Sequence, residues 1–277
     1  MTQPIGVFDS GLGGLSVAAE VLRTLPCESI VYFADNAHVP YGERPLEEIC
    51  DFALDITGFL IGRGAKAVLM ACNMSSAVAL DEARERHPHV PILGVIEPGA
   101  RAAVDVSGGG PIGVLATTGT VRSEAYVRAI HRLDPSRKVI QQACPKFVPL
   151  VESGKADSEE AEAAACTYVT PLVRAGCRTL ILGCTHYPYV RRAIRAAAGA
   201  GVRIVDPAQE TVRVLHNTLS ERRAVSDSAC PGYAFYASGD TASFAELGSV
   251  FLGRRIDCVQ RVDWGVDLGA AFKDAAV

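Results

Sequence analysis

The chain has 277 residues, 49% hydrophobic and 21% charged, with a formal net charge of −4. That mixture suits one large or two medium globular domains, and the acidic balance excludes a general nucleic-acid binder, which needs a basic footprint. No stretch approaches the ~18 uninterrupted apolar residues of a membrane helix, and Met1-Thr2-Gln3-Pro4 carries no basic leader, so a cytoplasmic location and no membrane partner are expected.

Short apolar runs alternate with amphipathic stretches, the pattern of βαβ units and a parallel sheet. In chain order the pattern predicts a strand at Ile5–Phe8, a helix at Leu15–Thr24 and a strand at Ile30–Ala34. A helix at Pro45–Arg63, a strand at Ala67–Met70, a helix at Ala77–His87 and a strand at Ile92–Val95 follow. After the break at Gly108-Gly109-Gly110-Pro111 come a strand at Ile112–Ala116, a helix at Ser123–Leu133 and a strand at Lys138–Gln141. The series continues with a helix at Ser158–Ala175, a strand at Thr179–Leu182, a helix at Tyr189–Ala198, a strand at Val202–Val205 and a helix at Glu210–Leu219. The tail adds a strand at Tyr233–Ala237, a further helix and a last strand near Cys258–Val262.

An internal repeat organises this series. Ile5-Gly6-Val7-Phe8 is echoed by Ile112-Gly113-Val114-Leu115, and Val31 through Val39-Pro40 by Val139 through Val148-Pro149. Ala71-Cys72 and the strand before it are echoed by Gly183-Cys184, and Val95-Ile96-Glu97-Pro98 by Ile204-Val205-Asp206-Pro207, always at an offset of 107 to 112 residues. The expected fold class is therefore α/β: two pseudo-symmetric, open, mostly parallel-sheet domains with the active site in the cleft between them. Residues 1–97 plus 208–277 form the first, discontinuous domain, and residues 98–207 the second.

In open parallel sheets ligands bind beyond the carboxyl ends of the strands. There the sequence places Asp9-Ser10, Asp35-Asn36 and Cys72-Asn73, and in the second half Thr117-Thr118 and Cys184-Thr185-His186. Nine cysteines, an odd number without Cys-x-x-Cys spacing, fit neither a disulfide framework nor a zinc ribbon; no metal site is expected. In a reducing compartment most of them should be small buried hydrophobes. Cys72 and Cys184 stand apart because the repeat relates them and both lie between an apolar strand and a helix. Ser75 and Ser76 suit caps for the helix after Cys72, and Pro188 the first turn after Cys184. A thiol at a helix N-terminus is drawn towards thiolate. Two opposed bases suit inversion of a stereocentre without a cofactor: one removes a proton from one face, and the other delivers a proton to the opposite face. Asp9 is the candidate to tune Cys72, and His186 with Glu152 to tune Cys184. The run Gly11-Leu12-Gly13-Gly14-Leu15-Ser16 fails as a dinucleotide fingerprint at its third glycine, and Arg191-Arg192 and Arg222-Arg223 read as solvated helix faces.

At these residues the sequence resembles the glutamate racemases of the aspartate/glutamate racemase superfamily. The likeness is carried by Gly6 through Leu15, Pro40-Tyr41-Gly42, Ala71-Cys72-Asn73, Ala116 through Val121, and Leu182 through Pro188. The resemblance implies that Cys72 and Cys184 are the acid/base pair, serving D- and L-glutamate respectively. It also implies substrate contacts from Asp9, Ser10, Tyr41, Gly42, Asn73, Met74, Ser75, Thr117, Thr120, Thr185 and His186. Supply of D-glutamate for peptidoglycan and a homodimer are further implications. One position departs: the family's threonine after Cys-Asn is Met74, which keeps the N–H but not the hydroxyl. Turnover of aspartate or another carbon acid, hydrolysis through Cys184 and His186, and a non-catalytic ligand sensor are the competing readings.

Overall fold

The computed structural model describes residues 3–264; Met1-Thr2 and residues 265–277, the end of the expected first domain, lie outside the described residues. The chain opens with β1 (Ile5–Asp9), α1 (Leu15–Thr24) and β2 (Ile30–Ala34). A 3-10 turn at Tyr41–Glu43 leads to α2 (Leu46–Gly62), β3 (Ala67–Met70), α3 (Asn73–Val78), α4 (Leu80–Arg86) and β4 (Ile92–Gly94). Next come α5 (Ile96–Val106), β5 (Ile112–Ala116), α6 (Thr118–Arg122), α7 (Ala125–Leu133), β6 (Val139–Ala143), α8 (Phe147–Glu152) and α9 (Glu159–Arg174). Then β7 (Thr179–Gly183) and a 3-10 turn at Tyr187–Val190 precede α10 (Arg191–Ala198), β8 (Arg203–Val205) and α11 (Pro207–Glu221). The described chain ends through β9 (Tyr233–Ala237), α12 (Thr241–Leu252) and β10 (Val259–Arg261).

These elements form two compact units, one running to Gly94 and resuming at Thr211, the other spanning Val95–Glu210. The first holds a six-stranded sheet in the order β10-β9-β2-β1-β3-β4, the second a four-stranded sheet in the order β6-β5-β7-β8. Every pairing is parallel, so this is an open α/β architecture in both units. The core order β2-β1-β3-β4 is repeated as β6-β5-β7-β8, the three-dimensional form of the sequence repeat. Strands β1, β2, β3, β5 and β7 are buried along their whole length, as strands covered on both faces must be. Edge strand β6 is half-buried throughout and carries Gln141 and Gln142.

Several boundaries differ from the sequence reading. The helix expected over Ala77–His87 is two helices, and the first begins at Asn73, directly after Cys72. Ser75 and Ser76 are therefore not caps but lie inside the first turn, where Ser76 Oγ donates to Met70 O at 2.8 Å. Helix α5 is an addition; its Pro98 lies in the first helical turn, where proline is tolerated. The short α8, with Pro149 inside it, is likewise an addition. Glu124, at φ 51, separates α6 from α7, so the helix expected from Ser123 begins at Ala125 and α6 before it is an addition. Nor are most cysteines buried: all nine are free, with four buried, two intermediate, and Cys166, Cys230 and Cys258 exposed.

Local chemistry explains α12. Asp240 Oδ1 accepts from the N–H groups of Ala242 (2.9 Å) and Ser243 (3.1 Å), and Gly253 closes the helix in the left-handed region. Asp240→Ala is expected to remove about 1 kcal/mol and lower Tm by about 2–4 °C in a thermal scan, without changing the fold.

Candidate active site

In the first unit β1 is flanked by β2 and β3, so the chain leaves it in opposite directions and the carboxyl ends of β1 and β3 border a topological switch point. Two residues beyond the paired Phe8 and Met70 stand Ser10 and Cys72. Asp9 ends β1 and is buried; its Oδ2 accepts from the N–H groups of Gly11 (3.2 Å) and Gly14 (2.9 Å). A Cβ on Gly14 would lie 2.3 Å from Asp9 Cβ and 2.7 Å from the Tyr32 hydroxyl, so only glycine lets this turn close around the carboxylate. The glycine run thus presents N–H groups to its own aspartate.

Cys72 is the N-cap residue of α3, with Asn73 in the first helical position. The thiol is buried among Tyr41, Ile49 and Met74, with Phe52 and Val78 packed against them. Burial, and then the neighbouring Asp9 carboxylate, push the Cys72 pKa up to about 12. The N–H groups of Ser75 and Met74 and the Ser75 hydroxyl act the other way, without closing a capping hydrogen bond. In this state desolvation outweighs the helix terminus, which reverses the direction expected from sequence. The Met74 side chain is 4% exposed and supplies an apolar wall beside the sulfur. Tyr41 is buried too; its hydroxyl donates to Asp35 Oδ2 at 2.5 Å, and burial raises its pKa. Gly42 follows it in the same 3-10 turn, while buried Asn73 opens α3.

The second unit repeats this plan with different side chains. One residue beyond the paired Ala116 and Gly183 stand Thr117 and Cys184. Thr117 caps α6: its Oγ1 accepts from the Thr120 N–H at 3.3 Å and lies 2.9 Å from the Thr120 hydroxyl. Cys184 is buried, with its Sγ 3.8 Å from His186 Nδ1. His186 Nε2 is in turn 3.1 Å from Glu152 Oε1, at the end of α8. When Nε2–H is donated to Glu152, Nδ1 turns its lone pair towards the thiol. Thr185, between them in sequence, is also buried. Pro188 lies in the 3-10 turn that precedes α10, not in an α-helical first turn.

The structure therefore brings Asp9, Tyr41, Asn73, Met74 and Ser75 to the Cys72 strand end, with Ser10 and Gly42 at the same rim. It brings Glu152, Thr185 and His186 to Cys184, with Thr117 and Thr120 on the adjoining strand end. Residues 5–215 match the family model described as Asp/Glu/Hydantoin racemase. The chain belongs to the Asp/Glu/Hydantoin racemase family.

Within this racemase family, the chain is 43% identical over 259 residues to a glutamate racemase of Geobacter metallireducens, covering 93% of this chain and 96% of that one. A solved glutamate racemase isoform from Bacillus anthracis superposes with a TM-score of 0.91 at 39% identity, covering 95% of this chain and 98% of that one. A glutamate racemase from Francisella tularensis, solved in complex with D-glutamate, superposes with a TM-score of 0.88 at 33% identity and the same coverage.

Two further residues of this racemase chain sit at the strand ends with partners that the sequence does not disclose. Tyr126, fully buried on α7, packs its ring on the backbone of Gly183, whose added Cβ would meet it at 3.0 Å. Its phenol is held protonated mainly by burial and then by Cys184 nearby. An apolar helix face conceals this aromatic in the sequence, and only the tight Gly183-Cys184 step hints at a close neighbour. Asp35 is the other: sequence marks it as a strand-end acid without naming its partners. Among the described residues no three or more His, Cys, Asp or Glu side chains are grouped to hold a metal ion, and no helix is long and apolar enough to cross a membrane.

Proposed function

We propose that this protein interconverts L- and D-glutamate by a cofactor-independent, two-base reaction in which Cys72 and Cys184 serve opposite faces of the same α-carbon. The observation that carries the reading is the pair of repeat-related, strand-end cysteines, each provided with its own tuning group: Asp9 beside Cys72, and His186 with Glu152 beside Cys184. The glutamate racemase names of the similar proteins support the substrate.

One thiol enters the cycle as thiolate and the other protonated. The thiolate takes the α-proton, and the electron pair left on carbon is delocalised into the substrate carboxylate. The opposite thiol then delivers its proton to the other face. The product is the mirror image, and the two sulfurs have exchanged protonation states. Cys72 serves D-glutamate and Cys184 L-glutamate. N–H groups and hydroxyls at Ser10, the Tyr41–Gly42 turn, Asn73, Met74, Ser75, Thr117, Thr120 and Thr185 hold the substrate and the developing charge. The His186 Nδ1 lone pair accepts a hydrogen bond from the protonated Cys184 thiol, and Glu152 fixes the imidazole tautomer. The product supplies D-glutamate for peptidoglycan, and the enzyme works in the cytoplasm as a homodimer.

A second reading, turnover of aspartate or another carbon acid, is favoured by one observation: the apolar Met74 wall beside Cys72. Incubation with each glutamate enantiomer in D2O, without added cofactor and followed by proton NMR, tests both. Loss of the α-proton signal with formation of the opposite, deuterated enantiomer is expected. Folded, reduced protein that exchanges neither enantiomer but exchanges aspartate would replace the substrate and keep the reaction.

A further inference from the structure

We propose that Asp35 is a positioning residue that holds the Tyr41–Gly42 turn for substrate, and that through it Trp264 adds the segment after β10 to the same support. The inference deepens the glutamate reading and rests on it. Asp35 is fully buried at the end of β2 and takes four hydrogen bonds on two oxygens. Oδ2 accepts from the Tyr41 hydroxyl at 2.5 Å. Oδ1 lies 2.7 Å from His38 Nδ1 and accepts from Ser238 Oγ at 2.7 Å and Trp264 Nε1 at 3.1 Å. The donors come from the loop after β2, the end of β9 and the chain beyond β10, so one carboxylate ties three separate stretches together.

Ring packing runs beside these bonds. His38 stacks on Phe52 at 4.2 Å between centroids and meets Trp264 edge-on at 4.9 Å. Phe52 in turn packs against the cluster of Tyr41, Ile49, Cys72 and Met74. Asp35 thus reaches the Cys72 environment twice: through the Tyr41 hydroxyl, and through the His38–Phe52 stack. Tyr41 is kept protonated by its burial and then by Asp35 itself, so it remains the donor of that bond.

A carboxylate that only stabilised the fold would alter thermal stability and leave the Michaelis constant alone. A carboxylate that aims a substrate-contacting turn does otherwise: its loss weakens ground-state and transition-state binding together, raising KM at nearly constant kcat. Steady-state racemisation of D- and L-glutamate by the full chain separates the two. Asp35→Ala is expected to raise KM about tenfold with kcat within about threefold. The chain's single tryptophan should shift its emission to longer wavelength as Trp264 loses its partner. Asp35→Asn is expected to restore KM to within about threefold, because its carbonyl still accepts and its amide can donate to the Tyr41 oxygen. Tyr41→Phe, which deletes one bond and keeps the ring, should raise KM like Asp35→Ala and decides the matter where the alanine variant does not fold. Native KM in Asp35→Ala or in Tyr41→Phe overturns the proposal, as does a fall in kcat at unchanged KM. Wild-type chain that leaves both enantiomers untouched overturns instead the glutamate reading on which it rests.

Discussion

Cys72→Ala and Cys184→Ala are each expected to lower racemisation by about 10²–10⁴-fold, the range for loss of a positioned general acid or base. The two losses should not add. A two-base inversion needs both groups in every turnover, so the double variant falls little further than either single one. Chiral product analysis from each enantiomer reads this directly, and circular dichroism checks that the variants fold. Alanine at either position is mild for the structure, since both sulfurs are small side chains at the ends of well-buried strands. Either variant turning over at the native rate would sink the two-base mechanism. An intact rate in Cys72→Ala alone would revive hydrolytic chemistry through Cys184 and His186.

The second large effect is the alkaline behaviour of Cys72. Its folded pKa, about 12, lies above the ordinary thiol value of 9.0, with burial the leading cause and Asp9 next. The sign follows from linkage: the protonated thiol is favoured by the fold, so this contribution is complete below pH 9 and is lost as pH rises towards about 12. A rise of that size corresponds to about 4 kcal/mol across the window. Tyr41, Tyr126, Tyr187 and Cys144 are raised as well, so the quantity to measure is the difference between wild type and Cys72→Ala. The wild-type denaturant midpoint should fall relative to that of Cys72→Ala as pH rises above 9. The same difference in thiolate ultraviolet absorbance should show no ionisation near neutral pH. A thiolate step at or below the ordinary value would mean that the Met74 and Ser75 N–H groups outweigh burial. With the high value, catalysis requires the substrate to lower it, and the cationic ammonium group of an amino acid entering beside Cys72 has the right charge to do so.

The parallel α/β plan is legible because strands covered on both faces read as apolar runs. β2, β3, β5 and β9 begin and end where the alternation places them. The repeated strand order β2-β1-β3-β4 and β6-β5-β7-β8 corresponds to the echo between Ile5–Phe8 and Ile112–Leu115. What the sequence conceals is of three kinds. The start of α3 is hidden because Cys72, a poor cap, holds the N-cap position, while Asn73 and the serines that resemble caps lie inside the helix. The Asp35 cluster is hidden by distance: its donors stand 3, 6, 203 and 229 residues away in the chain. Burial of Cys72 also could not be weighed against its helix terminus until Tyr41, Met74 and Phe52 were placed around it.

Cys72 occupies the N-cap of α3 without capping it. Serine there would be the better helix residue, its oxygen being a stronger acceptor than sulfur for the first-turn N–H groups and adding roughly 0.5–2 kcal/mol. It would also remove the proposed base. In the proposed reaction the sulfur at the head of α3 therefore trades a capping hydrogen bond for acid/base chemistry.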